Sequence, residues 1–261
     1  MSTLVEAREG GCVMLTLNRP EQLNAFNDEM HLAFREALER ARDDTDCRSI
    51  LISGSGRAFC AGQDLGDRNP DKMEGPPDLG HTLETFYNPL IRLIRSIPKP
   101  VICAVNGVAA GAGANIALAC DVVLAARSAK FIQAFSKIGL VPDSGGTWTL
   151  ARLVGEARAK AIILTGEPVM AEEAERIGMI YRCVDDPQLM HEAKALALRF
   201  AKGPTLGLGL TKQAIHAAAT HTLDEQLDLE RDLQRQAGRS EDYAEGVRAF
   251  MQKRVPDFKG K

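Results

Sequence analysis

The sequence predicts an α/β core followed by a helical C-terminal part. Two observations carry this. Through the first two-thirds of the 261 residues, short apolar runs alternate with glycine-rich turns and with helical spacing. After Pro187 the period becomes almost wholly helical, over Leu189–Phe200, Pro204–Ala218, Leu223–Arg239 and Tyr243–Met251. That change places a boundary near residue 200, between a catalytic core over 1–200 and a C-terminal helical region over 201–261.

The elements follow in order. Leu4–Arg8 and Cys12–Leu17 are expected strands, joined at Glu9-Gly10-Gly11 as a hairpin. Asn27 is an expected N-cap, with Asp28 and Glu29 at the positive end of the helix it opens. Met30, Phe34, Ala37, Leu38 and Ala41 recur at helical spacing behind it. Ser49–Ser53 is a short strand. Asp67–Gly80 holds three prolines, two glycines and little periodicity, and is expected to be a mobile loop. Leu83, Phe86, Leu90, Leu93 and Ile94 share one face of the next helix. Val101–Val105 is a strand, Gly107–Gly113 a glycine-rich turn, Ala114–Ala119 a helix and Val122–Ala125 a strand.

Bulk properties narrow the function. A hydrophobic fraction of 45% with 26% charged residues is an ordinary globular balance. A net charge of −3 gives no basic excess for nucleic acid or an anionic membrane. The six cysteines form no C-x-x-C pair, and with five histidines complete no zinc pattern; they are expected to be buried free thiols. Met1–Gly10 lacks the charge and apolar pattern of a secretory leader, and no apolar run reaches the roughly 18 residues of a membrane span, so a reducing cytoplasm is the expected setting. There is no G-x-S-x-G and no H-E-x-x-H, and His216 and His221, five apart on one helix, read as surface residues.

Three segments have the composition of a site. Phe59-Cys60-Ala61-Gly62-Gln63-Asp64-Leu65 is either a tight turn or a place where small residues let backbone N–H groups face a ligand. Asn106–Asn115 leads from a strand into a helix; it departs from G-x-G-x-x-G at Ile116, yet amides at a helix start suit an anion or a developing oxyanion. Gly139–Thr147 is a turn before a helix, in which Asp143 is either the cap or a reactive carboxylate.

Together, Asn18-Arg19-Pro20 with Asn24-Ala25, Phe59–Leu65, Lys99–Val101 with Asn106-Gly107 and Gly111–Gly113, and Gly139–Pro142 with Gly145–Thr147 resemble the enoyl-CoA hydratase/isomerase (crotonase) family over essentially the whole chain. Ala134–Trp148 and Leu227–Asp232 carry a likeness to the branch that isomerises the ring epoxide of phenylacetyl-CoA. The resemblance implies a spiral of ββα units with a C-terminal helical region that builds a trimer or a pair of trimers. It implies oxyanion-hole amides at Gln63 and Ala112, and a CoA ester lying along Asn24-Ala25 and Ala61 to Leu65, with Gly62, Asp64, Gly113, Asn115 and Phe135 also near the substrate. The glutamates of family hydratases fall at Asn115 and Phe135, so both are missing, whereas the aspartate of many family isomerases is present as Asp143. The implied activity is therefore a CoA-thioester isomerase, with hydration or mere CoA-ester binding as alternatives. Coenzyme A belongs to the substrate and no separate cofactor or metal is expected. The tail Asp257–Lys261 could reach a neighbouring subunit's CoA through lysine.

Overall fold

The structure, a computed structural model, describes residues 2–66, 75 and 77–261. From the third strand to the eighth, successive strands alternate between two sheets. The six-stranded sheet contains β1 (Leu4–Glu9), β2 (Cys12–Leu17), β3 (Ser49–Gly54), β5 (Val101–Val105), β7 (Val122–Ala126) and β10 (Arg182–Val184), neighbouring in that order. The four-stranded sheet has the order β4 (Ala58–Cys60), β6 (Val108–Ala110), β8 (Lys130–Ile132), β9 (Val169–Met170). After the β1–β2 hairpin, the turns β3–β4, β5–β6 and β7–β8 each give one strand to each sheet. The turns close with helices, notably α4 (Ala112–Ala119) after β5 and β6, and α5 (Gly146–Val154) after β7 and β8. This is the spiral of ββα units that the family resemblance implies.

Among the described residues, only β1–β2, with Leu4 opposite Leu17, and β8–β9 pair antiparallel. The other pairings are parallel, as chain turns of this length allow. β5 is buried at every position, and β3 at all but its terminal Gly54, as expected for parallel strands covered on both faces.

The first helix, α1 (Asp28–Asp43), is capped by the Asn27 side chain, which accepts from the Met30 N–H, and it buries Met30, Phe34, Ala37, Leu38 and Ala41 as its spacing predicts. Next comes a three-part helical run: α2 (Leu79–Thr82), a π segment (Leu83–Tyr87) and α3 (Asn88–Ser96). Pro89 gives a reason for the wide turn, since it brings no N–H and its ring would press on the carbonyl four residues back.

After α5 come α6 (Glu156–Thr165), α7 (Ala171–Arg176), α8 (Leu189–Ala201), α9 (Thr205–Ala217), α10 (Leu223–Ala237) and α11 (Glu241–Met251). α8 lies on the core sheet, where the Ser49 hydroxyl donates to the Ala197 carbonyl at 2.8 Å.

Several expectations change. The glycine-rich turn Gly107–Gly113 contains a strand, β6, and α4 starts at Ala112 rather than Ala114. The expected mobile loop ends early, because Leu79 and Gly80 are helical behind an N-cap in which the Asp78 side chain accepts from the His81 N–H; positions 67–74 and 76 of that loop lie outside the described residues. The cysteine expectation holds: all six are free, five of them buried, with only Cys183 partly covered. His221 is exposed, but His216 is half-buried, and burial, with Arg95 and Lys212 nearby, lowers its pKa to about 4. Separately, the tail backbone is held to its own chain, with Lys259 and Gly260 N–H groups donating to the Asp242 carboxylate at 2.6 and 2.8 Å and Arg48 donating to the Phe258 carbonyl at 3.0 Å, while the Lys259 and Lys261 side chains stay exposed.

Candidate active site

The first turn of α4 is the hub at which the three sequence segments meet. On one side runs the stretch Ala61–Leu65. It is held by backbone: Ala61 N–H donates to Leu23 O at 3.0 Å, Phe26 N–H to Gly62 O at 2.7 Å, and Asp64 N–H to Phe26 O at 2.9 Å. Phe26 and Gln63 thereby form a parallel bridge. These bonds occupy the groups flanking Gln63, and its own N–H meets no acceptor among the described residues. Gly62 has φ +95°, and a Cβ there would sit 2.9 Å from Ala110 O and 3.4 Å from Ala112 N. The strand therefore passes directly against the start of α4, where Ala112 N–H, in the first turn, has no intrahelical acceptor. Two amides and the positive end of a helix dipole are thus assembled around one place, an arrangement that can hold a developing oxyanion.

The Gln63 side chain is locked as well. Its amide donates to Phe26 O at 3.0 Å and accepts from the Tyr87 hydroxyl at 2.9 Å. Tyr87 is buried at the end of the π segment, with its ring edge-on to His31 at 4.4 Å.

On the other side of α4 stands Asp143. It does not cap α5 with its side chain; Gly145 occupies that position in a left-handed conformation. The Asp143 carbonyl instead accepts from Gly146 N–H at 2.8 Å and from the Asn115 amide at 2.9 Å, and its carboxylate Oδ1 accepts from the Ser144 hydroxyl at 2.9 Å. Asp143 itself is partly exposed, so the fixed backbone presents a carboxylate that solvent or substrate can reach.

The other predicted residues fall into two groups. Asn115 and Phe135 are buried beside the hub, with the Phe135 ring under Gly111. Gly113 packs on Cys60, whose thiol is pushed up to about 12 by burial and is no nucleophile. Asn24 is fully buried and spends its side chain on the protein: it accepts from Arg19 N–H at 2.8 Å and donates to Ser55 O and Ala58 O, both at 2.9 Å. Ala25 is buried, Ala61 half-buried and Leu65 exposed at the rim. Asp64 pairs with Arg19 at 2.8 Å; the Gly66 N–H, then the Arg19 guanidinium, hold its carboxyl below the usual range. Sequence reasoning missed Tyr87, Gln133, Ser144 and Arg19. Ser144 adjoins Asp143 in sequence and Arg19 lies in the Asn18-Arg19-Pro20 motif, but nothing local marks Tyr87 and Gln133, whose partners Gln63 and Asn115 lie 24 and 18 residues away.

Fold and site together define an acyl-thioester enzyme of the ββα-spiral class. The enoyl-CoA hydratase/isomerase family model matches residues 7–261, and the chain belongs to that family. It is 58% identical over 261 residues, the full length of both chains, to the 1,2-epoxyphenylacetyl-CoA isomerase of Escherichia coli K12. It is 49% identical over 251 residues, covering 96% of this chain and 95% of the relative, to a "probable enoyl-CoA hydratase" of Rhodobacter capsulatus. Among solved structures, the enoyl-CoA hydratase of Bacillus anthracis superposes with a TM-score of 0.93 at 30% identity, covering 99% of this chain and 100% of that one.

Proposed function

We propose that the chain isomerises CoA thioesters, converting ring-1,2-epoxyphenylacetyl-CoA to the oxepin thioester and 3-enoyl-CoA to 2-enoyl-CoA. The observation that carries the reading is the placement of Asp143, fastened through its backbone to the helix that bears Ala112, while positions 115 and 135 hold an amide and a phenyl ring. The 58% identical isomerase supports the same choice.

Asp143 takes the α-proton of the thioester as general base. The electrons move onto the thioester oxygen, where Gln63 and Ala112 N–H groups stabilise the enolate. The carbon at the far end of the conjugated system then takes the proton back from Asp143. In a 3-enoyl chain this moves the double bond into conjugation. For the ring substrate, epoxide and oxepin forms interconvert by ring opening, and the same shift to a ring carbon gives the conjugated thioester. No redox change occurs and no atom leaves. Phe135 keeps water from the enolate. The CoA chain lies along Ala61–Leu65, with the buried Asn24-Ala25 supporting that edge from behind rather than facing the ligand, and the enzyme needs no cofactor beyond the CoA of its substrate.

The test is to incubate the purified protein with a 3-enoyl-CoA and with the ring epoxide thioester and follow the conjugated products. Absence of turnover on both sinks the reading and favours a CoA-ester-binding protein. Hydration is the second reading, favoured by the name of the 49% identical relative. Against it, the Asn115 amide cannot accept a proton from water near neutral pH, and Phe135 can neither accept nor donate one.

The assembly reading is a homotrimer or a pair of trimers in the cytoplasm, with 1–200 as core and 201–261 as the assembling region. Leu223 and Leu227 are 73% and 52% exposed, and an open groove of about 690 Å³ runs between α9 and α10 past Leu227 and Leu233. Such faces call for a covering surface. No helix among the described residues is long and apolar enough to cross a membrane. Light scattering that reports a stable monomer at micromolar concentration would refute the assembly reading.

A further inference from the structure

We infer that Asn115 is a positioning residue for Asp143, and that Gln133 in turn sets the orientation of Asn115. The inference rests on the isomerase reading, in which Asp143 moves the proton.

Asn115 is 1% exposed and Gln133 is 1% exposed, so neither amide is solvated. The Gln133 amide donates to Asn115 Oδ1 at 2.8 Å, and Asn115 Nδ2 donates to the Asp143 carbonyl at 2.9 Å. The chain of donors has a fixed direction. Turning both amides over would leave the Asn115 oxygen facing the Asp143 carbonyl, acceptor against acceptor. The Asp143 carbonyl therefore dictates which way both amides point. The cost is visible at the far end, where Gln133 Oε1 is buried with no partner among the described residues. A structure that leaves one acceptor buried and unpaired to supply a donor to one carbonyl is holding that carbonyl for a reason.

The fit at the near end is equally tight. A Cβ at Gly146 would overlap the Asn115 carboxamide, so the amide is wedged against the first residue of α5. With Gly146 N–H also on the Asp143 carbonyl at 2.8 Å, that carbonyl has two donors from two elements, α4 and α5. Ser144, buried and at φ +51°, then fixes the carboxylate through its hydroxyl. Since Asn115 sits three residues, about one turn, after Ala112, the same helix sets both the oxyanion amide and the height of the base. A carboxylate at 115 could not donate to the Asp143 carbonyl. The missing glutamate at 115 and the aspartate at 143 thus form one unit: the amide that replaces the first holds the second.

A positional error of about 1 Å in a reacting group costs on the order of 100-fold. The expected result for Asn115→Leu is a kcat for 3-enoyl-CoA isomerisation lowered roughly 10- to 100-fold, with KM changed less than about threefold. The decisive measurement is a cycle with Asp143→Asn. If Asn115 acts only through Asp143, the double variant turns over no more slowly than Asp143→Asn alone. Wild-type kcat in Asn115→Leu, or losses that multiply in the double variant, overturns the inference. Gln133→Leu supplies a second route should the first variant fail to fold; its kcat should fall about 3- to 10-fold, absorbed in the same way by Asp143→Asn, and an undiminished kcat in a folded Gln133→Leu overturns the role of Gln133. The two levels of failure are separable. If Asp143→Asn itself turns over normally, the isomerase reading falls and takes this one with it. If Asp143→Asn is crippled and Asn115→Leu is not, only the positioning role falls.

Discussion

The two walls of the site are made of different material. The amide wall, Gln63 and Ala112, consists of backbone N–H groups fixed by a parallel bridge and by the start of a helix. The carboxylate wall, Asp143, is one side chain on a partly exposed turn, steadied by Asn115, Gly146 and Ser144. On the proposed reading, the first wall stabilises negative charge on a thioester oxygen and depends little on side-chain identity, while the second decides what happens to a proton. On that reading, exchanging a few side chains at the second wall, here positions 115, 135 and 143, changes the reaction while the first is kept.

The sharpest way to break this contrast is at Asp143. Asp143→Asn keeps shape and loses the base, so isomerase turnover should fall about 100- to 10,000-fold while CoA-ester affinity, measured by calorimetry, is largely kept. If both fall together, the carboxylate wall also binds. Next in size is the hydration test. Crotonyl-CoA hydration should run at least about 1,000-fold slower than 3-enoyl-CoA isomerisation, with 3-hydroxybutyryl-CoA followed by chromatography. Comparable rates would mean that Asp143 can activate water and that the side chains at 115 and 135 do not choose the reaction.

The amide wall is probed at Gly62. An alanine there must adopt φ +95° and press on Ala110 O, so the amides of Gln63 and Ala112 shift. Loss of one oxyanion donor costs about 100- to 1,000-fold, and a partial shift places Gly62→Ala near the lower end, with kcat reduced and the melting temperature lowered. An unchanged kcat would show that the wall tolerates displacement. Tyr87→Phe removes only the hydroxyl on the Gln63 side chain. On the proposed reading the oxyanion donor is the backbone N–H, so turnover should change less than about tenfold, with a stability loss of about 1 kcal/mol read by chemical denaturation.

The smallest effect lies outside both walls. The folded-state pKa of His216 is lowered to about 4 by burial first and by Arg95 and Lys212 second. The folded state therefore binds fewer protons than the unfolded chain. Its contribution is present above the ordinary value near 6.5 and is lost as pH falls from there toward 4. With its partial solvent exposure discounted, the loss at pH 5 is on the order of 1 kcal/mol, and His216→Asn should flatten that part of the stability profile. The same acid slope in the variant would assign it to other groups.

The sequence by itself determined the long elements and which side chains stand at the candidate site positions. α1, α8 to α11 and the buried strands β3 and β5 announce themselves through caps and periodicity, which are local. The identities of Asn115, Phe135 and Asp143 speak for isomerisation over hydration once the family resemblance supplies their alignment. The tertiary structure decided the rest. β4, β6 and β8 are three residues each, too short for a period to register, and they exist because parallel partners lie some 20 to 50 residues away in the chain. The π turn at Tyr87 and its bond to Gln63 join segments 24 residues apart. By spacing alone Asp143 reads more readily as a helix cap; the structure puts Gly145 in that place and turns the Asp143 carbonyl toward Asn115, 28 residues earlier. Periodicity reports only which face of an element is buried. Which buried donor meets which acceptor is settled when distant segments pack, because every buried polar group must then find a partner or go without.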